Sequence, residues 1–423
     1  MNHSPGAVTA VRWTSLFPWL VLVRAARVAL LLRVLALALA GIEATDVGWQ
    51  LVERTLLDGP SPSGAAPLRR LDESPPTYAP RGATPAVPQL PSGPAWRPDA
   101  AAMVHGRSLA FAGDLYGSPL IRGWRWAMHP LVSLREARGA RQWIGYALAG
   151  GWAVAVWALF GGAIARIAAV YLCYGETIGP LAALRSAWRT WRSTAGALLI
   201  SAIGVLVLAL PLVAAGLLLR FDLTAALLGL AWFAVLLAGL VFAVALIGVA
   251  IGWPMMWATV AVERTDGFDA VSRAIGYVYQ RPLHLAFYVL VASVLGLVAQ
   301  AAVNLVVDGA FAATGWAVSI GSSSERLAEL QSPRDARGWA RGWARGGMAW
   351  WNGALALVAA GFPMAYLWPA AVGVYLLQRR HIDSTEMTDL KFDERESPRG
   401  LPPLATDPET GVPRLGEPAA TTS

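Results

Sequence analysis

Three groups of residues in this chain have side chains and spacings that could do chemistry. Gln300, Asn304 and Asp308 recur at every fourth position, so in a helix they form one polar stripe. Inside a membrane such a stripe either lines a pore or substrate path, or it hydrogen-bonds a neighbouring helix. Bonding between helices is the expectation here, because the apolar runs of the last five spans contain no acidic residue to couple ions. Asn352 adds one more amide early in the last of those runs.

Arg166, Glu176, Glu263 and Arg273 form the second group, a candidate charged cluster at one membrane interface. They are the set that a membrane enzyme acting on lipid would have to use, through paired acid and base groups. Arg166 could pair with Glu176 or Glu263. An arginine that snorkels to the headgroups is the favoured reading.

The third group is Cys173 with His3, His105, His129, His284 and His381. The histidines are scattered without metal-ligand spacing, and the lone cysteine reads as a small packing residue. There is no HExxH, GxSxG or P-loop string. No catalytic residue, metal or cofactor is expected, and the reading leans away from an enzyme.

Composition says what must position these groups. Of 423 residues, 56% are hydrophobic and only 14% charged, against about a quarter charged in soluble domains. Mean hydropathy is +0.48. These values exclude a soluble globular protein and a disordered chain, and the single cysteine excludes a disulfide scaffold. Net charge is +7, and Lys391 is the sole lysine, so arginine carries the positive charge. Arginines at interfaces suit a bilayer with anionic headgroups as the partner. No nucleic-acid partner is expected, since neither a zinc spacing nor a basic stripe on a soluble domain is present.

A span needs about 20 apolar residues to cross about 30 Å of hydrocarbon. The expected architecture is an all-α polytopic bundle of about six transmembrane helices with short interfacial amphipathic helices. An N-terminal interfacial segment covers 1–27. The first span, 28–50, is interrupted by Arg33. Its rival reading is a cleaved signal ending near Ala38-Leu39-Ala40. A Pro/Gly-rich disordered loop follows at 51–119, then an interfacial segment at 120–142. Spans two and three are 143–174 and 193–219. Span four is 229–253, with a loop before it and a break at Gly252-Trp253-Pro254. Spans five and six are 285–308 and 347–378, with a loop at 309–346. A soluble, partly disordered tail occupies 379–423.

Two interfacial loops, 175–192 and 254–284, share a pattern. Thr177-x-Gly179-x-x-Ala182-x-x-Arg185 and Thr265-x-Gly267-x-x-Ala270-x-x-Arg273 both read T-x-G-x-x-A-x-x-R, each after a glutamate. The expectation for both is a turn followed by a short membrane-surface helix held by arginine and aromatics. An even number of spans between them puts both on one side. Arg337, Arg341 and Arg345 recur with Trp339 and Trp343 in the 309–346 loop. They read either as a lipid-binding surface helix or as a simple duplication, with glycine at every fourth position opposing a helix. Ala158-x-x-x-Gly162 and Gly248-x-x-x-Gly252 allow close helix packing, within one chain or in a homo- or hetero-oligomer.

Arg379 and Arg380, directly after the last span, and Arg185, Arg189 and Arg192 favour cytoplasmic termini. Arg122 to Arg141 and Arg334 to Arg345 count the other way.

In the strings Gly161-Gly-Ala-Ile-Ala-Arg166-Ile-Ala-Ala, Gly252-Trp-Pro-Met-Met-Trp257, Asp266-Gly-Phe-Asp-Ala-Val-Ser-Arg273-Ala and Tyr279-Gln-Arg-Pro-Leu-His284 the chain resembles a group of uncharacterised bacterial multi-pass integral membrane proteins. The resemblance covers roughly 14–50 and 120–395. It implies an integral membrane protein and brings no activity or site residue with it. The functional expectation is a structural or accessory multi-pass protein of the bacterial cytoplasmic (inner) membrane. The alternatives are a transporter or channel subunit using the Gln300 stripe and a lipid-acting membrane enzyme.

Overall fold

The computed structural model describes residues 17–57, 117–134, 137, 139–323, 326, 327, 330, 339–391, 405, 406, 413 and 414. Most of the Pro/Gly-rich loop, the first 16 residues and nearly all of the tail beyond 391 lie outside the described residues. Within them the chain forms ten α-helices: α1 (Val21–Ala29), α2 (Leu32–Leu56), α3 (Pro119–Ser133), α4 (Ala140–Tyr174), α5 (Pro180–Leu218), α6 (Asp222–Leu230), α7 (Trp232–Glu263), α8 (Gly267–Gln280), α9 (Pro282–Ser322) and α10 (Trp339–Ile382). A two-residue antiparallel pairing joins Ala405–Thr406 to Pro413–Arg414. The fold is an all-α bundle, and α2, α4, α5, α7, α9 and α10 are each long and apolar enough to cross a membrane.

The six spans alternate in direction, so the two sequence repeats, α1 and the segment that follows α10 meet at one end of the bundle. Arg24 of α1 donates to the Tyr171 carbonyl near the end of α4 (2.7 Å), and Arg33 donates to the Ile178 carbonyl in the following turn (2.8 Å). The Lys391 amide bonds the Val262 carbonyl near the end of α7. We call this the charged end. Gly175 closes α4 there at φ 77°, a left-handed position that glycine takes without strain.

The core is built around α4 and α10. Trp368 of α10 stacks on Trp257 of α7 at 4.9 Å and on Trp157 of α4 at 5.8 Å. Trp126 of α3, edge-on to Trp157, and Trp49 of α2, tilted against Trp126, extend the cluster. Aromatic pairs at this separation contribute about 0.5–1.5 kcal/mol each beyond burial. Gly161 makes room for it: a Cβ there would lie 2.7 Å from the Trp368 ring. The halves of α5 and α7 far from the charged end are different. Leu206, Leu210, Phe233 and Leu237 are all more than half exposed, an apolar surface on every side that suits hydrocarbon rather than water.

Three elements depart from the sequence expectations. The stretch 120–142, expected at the membrane surface, contains α3, which enters the bundle. Its N-cap Ser118 is fully buried, and Gly123 packs against the Pro363 carbonyl in the middle of α10. The expected loop before span four is helical as α6, and α7 runs through Pro254 without a break. The glycine-rich Trp339–Gly347 stretch is the helical start of α10.

The two repeats also fold differently. In the first, Gly179 caps a helix that continues without interruption into the span α5. In the second, the Asp266 carboxylate caps α8 by accepting from the Asp269 amide (2.8 Å). The helix then stops at Arg281 (φ −141°), where Pro282 opens α9. Proline at that position cannot donate to the preceding turn, and the first repeat has none. Nor does α8 simply lie on the surface. Val278 packs on Gly252, and Tyr279 donates to the Val244 carbonyl of α7 (2.5 Å).

Candidate functional site

Two polar sites stand out, one inside the bundle and one at its charged end. The internal site begins with proline. A proline inside a helix lacks the N–H that would bond the carbonyl four residues earlier. Pro254 and Pro363 therefore release the carbonyls of Ala250 and Ala359. In lipid a released carbonyl must find a donor on a neighbouring element. Trp124 of α3 donates its indole Nε1 to Ala250 O at 2.9 Å, and Gln300 of α9 donates Nε2 to Ala359 O at 3.1 Å.

Gln300 is buried and its amide is in full use. Besides the Ala359 bond, Nε2 donates to Asn304 Oδ1 (2.9 Å), and Oε1 accepts from Arg122 Nη2 (3.0 Å). One side chain thus ties α9 to α10 and to α3. Asn304 and Asp308 are exposed. The i, i+4, i+8 stripe leaves the bundle interior after its first member.

The charged end holds an ionic network around a buried carboxylate. Glu263, at the last turn of α7, is 3% exposed. Its carboxylate accepts from Arg273 Nη1 of α8 (2.7 Å), Arg379 Nε of α10 (3.2 Å) and the Tyr375 hydroxyl (2.5 Å). Arg379 continues to Asp389 Oδ2 (2.9 Å) and to the Asp389 carbonyl (2.7 Å). On α8, the Arg273 Nε contacts both Asp269 oxygens, and the Tyr277 hydroxyl donates to Asp383. Burial works against the Arg273 charge, but the Asp269 bond and the Glu263 charge outweigh it and hold its pKa above the ordinary value. Burial, then the bond to Asp383, pushes the Tyr277 phenol up as well.

Of the four residues expected in an interfacial cluster, the structure joins Glu263 and Arg273. Arg166 is buried close by and donates to backbone, to Ala261 O (2.8 Å) and Lys391 O (3.1 Å). It anchors the segment after α10 rather than snorkelling to a headgroup. Glu176 is exposed and makes no bond to the others. Because a single turn follows Glu176 while Glu263 is enclosed by α8 and α10, the glutamates that precede the two copies have opposite environments.

Sequence reasoning missed Arg379, Tyr375, Asp389, Arg122 and Trp124. For Arg122 and Trp124 a signal existed. Each proline in an apolar run announces a carbonyl four residues earlier that needs a donor. For Arg379 and Tyr375 the sequence offered only their place at the end of a span.

Cys173 is buried and free. Among the described residues, no group of three or more His, Cys, Asp or Glu side chains could hold a metal ion. Compared with known protein families, with curated proteins and with solved structures, the chain matches none of them.

Proposed function

We propose that this chain is a structural or accessory multi-pass protein of the bacterial cytoplasmic membrane, with its charged end on the cytoplasmic side and anionic headgroups as its surroundings. The observation that carries the reading is the use made of Gln300. The buried amide of the helix stripe that could line a substrate path is spent on a proline-freed carbonyl and on Arg122. The ionic network supports the same reading. Its groups hold α7, α8 and α10 together in a closed set of bonds, as a scaffold requires.

The test is a set of substitutions along the stripe in vesicle-reconstituted protein. Gln300→Leu is expected to lower thermal stability, while Asp308→Asn leaves stability and permeability unchanged. A solute flux in the wild type that Asp308→Asn abolishes at full stability would establish a transporter instead. Reporter fusions at Gly93 and at the C-terminus are expected to report opposite sides of the membrane, the C-terminus cytoplasmic.

A further inference from the structure

An apolar groove of about 190 Å³ opens between α7 and α9, with α10 as its back wall and α3 as its floor. Leu285 and Val289 line it from α9, Leu367 and Val374 from α10, and Ile251 and Pro254 from α7. Ile251 at the rim is 45% exposed, so the groove faces the lipid.

The stripes that line this groove end at a basic cluster. On α10, Leu367, Val374 and His381 follow at seven-residue intervals and share one face. At the start of α9, its N-cap Arg281, then Leu285 and Val289, follow at four-residue intervals. The two stripes meet where Arg281 Nη1 lies 3.2 Å from His381 Nε2. His284 stacks on His381 at 4.4 Å, and Arg380 follows Arg379 in the same turn. Among the described residues, none of these four groups makes an ion pair. The nearest acid along the chain, Asp383, is bonded to Tyr277. Arg281 and Arg380 have no carboxylate partner among the described residues, and the two imidazoles add ring nitrogens that can donate, so the cluster favours an anion supplied from outside. Between the apolar stripe and the cations, one turn beyond Val374, sits Gln378. It is fully buried, and both of its amide atoms lack a hydrogen-bond partner.

We infer that this groove, with the Arg281, His284, Arg380 and His381 cluster at its head, binds one anionic phospholipid of the surrounding bilayer, acyl chain in the groove and phosphate at the cations. The length agrees. Leu367 to His381 is 14 steps of 1.5 Å, about 21 Å. One leaflet, half of a hydrocarbon core and one headgroup layer, is about 20–22 Å. The order of chemistry agrees as well: apolar wall, then an unpartnered amide at the depth of ester carbonyls, then cations at the depth of phosphate.

The experiment titrates the full-length, delipidated protein in detergent with phosphatidylglycerol, phosphatidylcholine and inorganic phosphate, and counts bound lipid by native mass spectrometry. One phosphatidylglycerol per chain is expected to be retained at least tenfold more tightly than phosphatidylcholine. Arg281→Gln with Arg380→Gln removes that preference. Ala371→Leu, which fills the groove, weakens binding tenfold with the cations intact. Val289→Trp serves the same purpose should Ala371→Leu fail to stay monodisperse. Millimolar inorganic phosphate does not displace the lipid. Equal retention of both lipids, unchanged binding in the double arginine variant, or unchanged binding in the filled groove would each overturn the inference. Full displacement by inorganic phosphate would overturn it too, and would identify a free-anion site.

Discussion

Replacing Gln300 by leucine asks whether its amide exists to serve the carbonyl that Pro363 frees. The substitution strands Ala359 O, which costs about 1–3 kcal/mol for an unsatisfied buried acceptor, and removes a charge-assisted bond from Arg122 worth about 1.5–3 kcal/mol. The added apolar side chain offsets about 1 kcal/mol. The net loss is about 1.5–5 kcal/mol, a roughly 10- to 5,000-fold fall in the folded-to-unfolded ratio. Pro363→Ala returns an N–H within reach of Ala359 O, so it should recover the stranded-carbonyl part, about 1–3 kcal/mol, in the Gln300→Leu background. In the wild-type background it should recover nothing, because Gln300 already satisfies that carbonyl. The assay is a double-substitution cycle, read by SDS-induced unfolding of the detergent-solubilised protein through tryptophan fluorescence. If Gln300→Leu costs the same with and without Pro363→Ala, the carbonyl is not what Gln300 serves and the reasoning is refuted.

Glu263→Gln keeps the shape of a buried group while removing the charge that two guanidiniums share, so about 2–4 kcal/mol of stability should go, against less than about 0.5 kcal/mol for Glu176→Gln at the exposed glutamate before the first copy; equal melting temperatures would count against the network. Gly161→Ala drives a methyl to 2.7 Å from the Trp368 ring and should cost about 1–3 kcal/mol by overpacking. Gly204→Ala, where no atom lies within 4 Å, should instead stabilise by about 0.4–1 kcal/mol, and the same unfolding assay separates the two. Tyr277 has its pKa raised on folding, so its contribution is complete below about pH 10 and is lost as pH rises beyond that value. Stability measured from pH 9 upward should fall less steeply in Tyr277→Phe than in the wild type, and an identical slope would show that the phenol does not titrate with folding.

The all-helical, six-span architecture was legible in the amino acids, and so was the placement of both repeats at one end. Both follow from local quantities: the length of an apolar run and the number of runs between the repeats. Arg273 and Glu263 were recognisable as candidates for the same reason, since both lie at the margin of such runs. Their pairing with Arg379 and Tyr375 was not recognisable, because those residues come from a helix more than 100 positions away. Uniformly oily helices show no face, so nothing local says which side meets which neighbour. The same blindness hid α3. Its alternation of tryptophan and arginine has the composition of a surface segment, and only the bundle's own acceptors, Ala250 O and the Gln300 amide, let Trp124 and Arg122 sit inside. It also divided the glutamates of the repeat, one enclosed and one exposed, and reduced the Gln300 stripe to a single buried member. A run of apolar residues specifies that a helix crosses lipid, because the solvent enforces it. Which polar groups are then satisfied, and by whom, is settled by packing between segments distant in the chain.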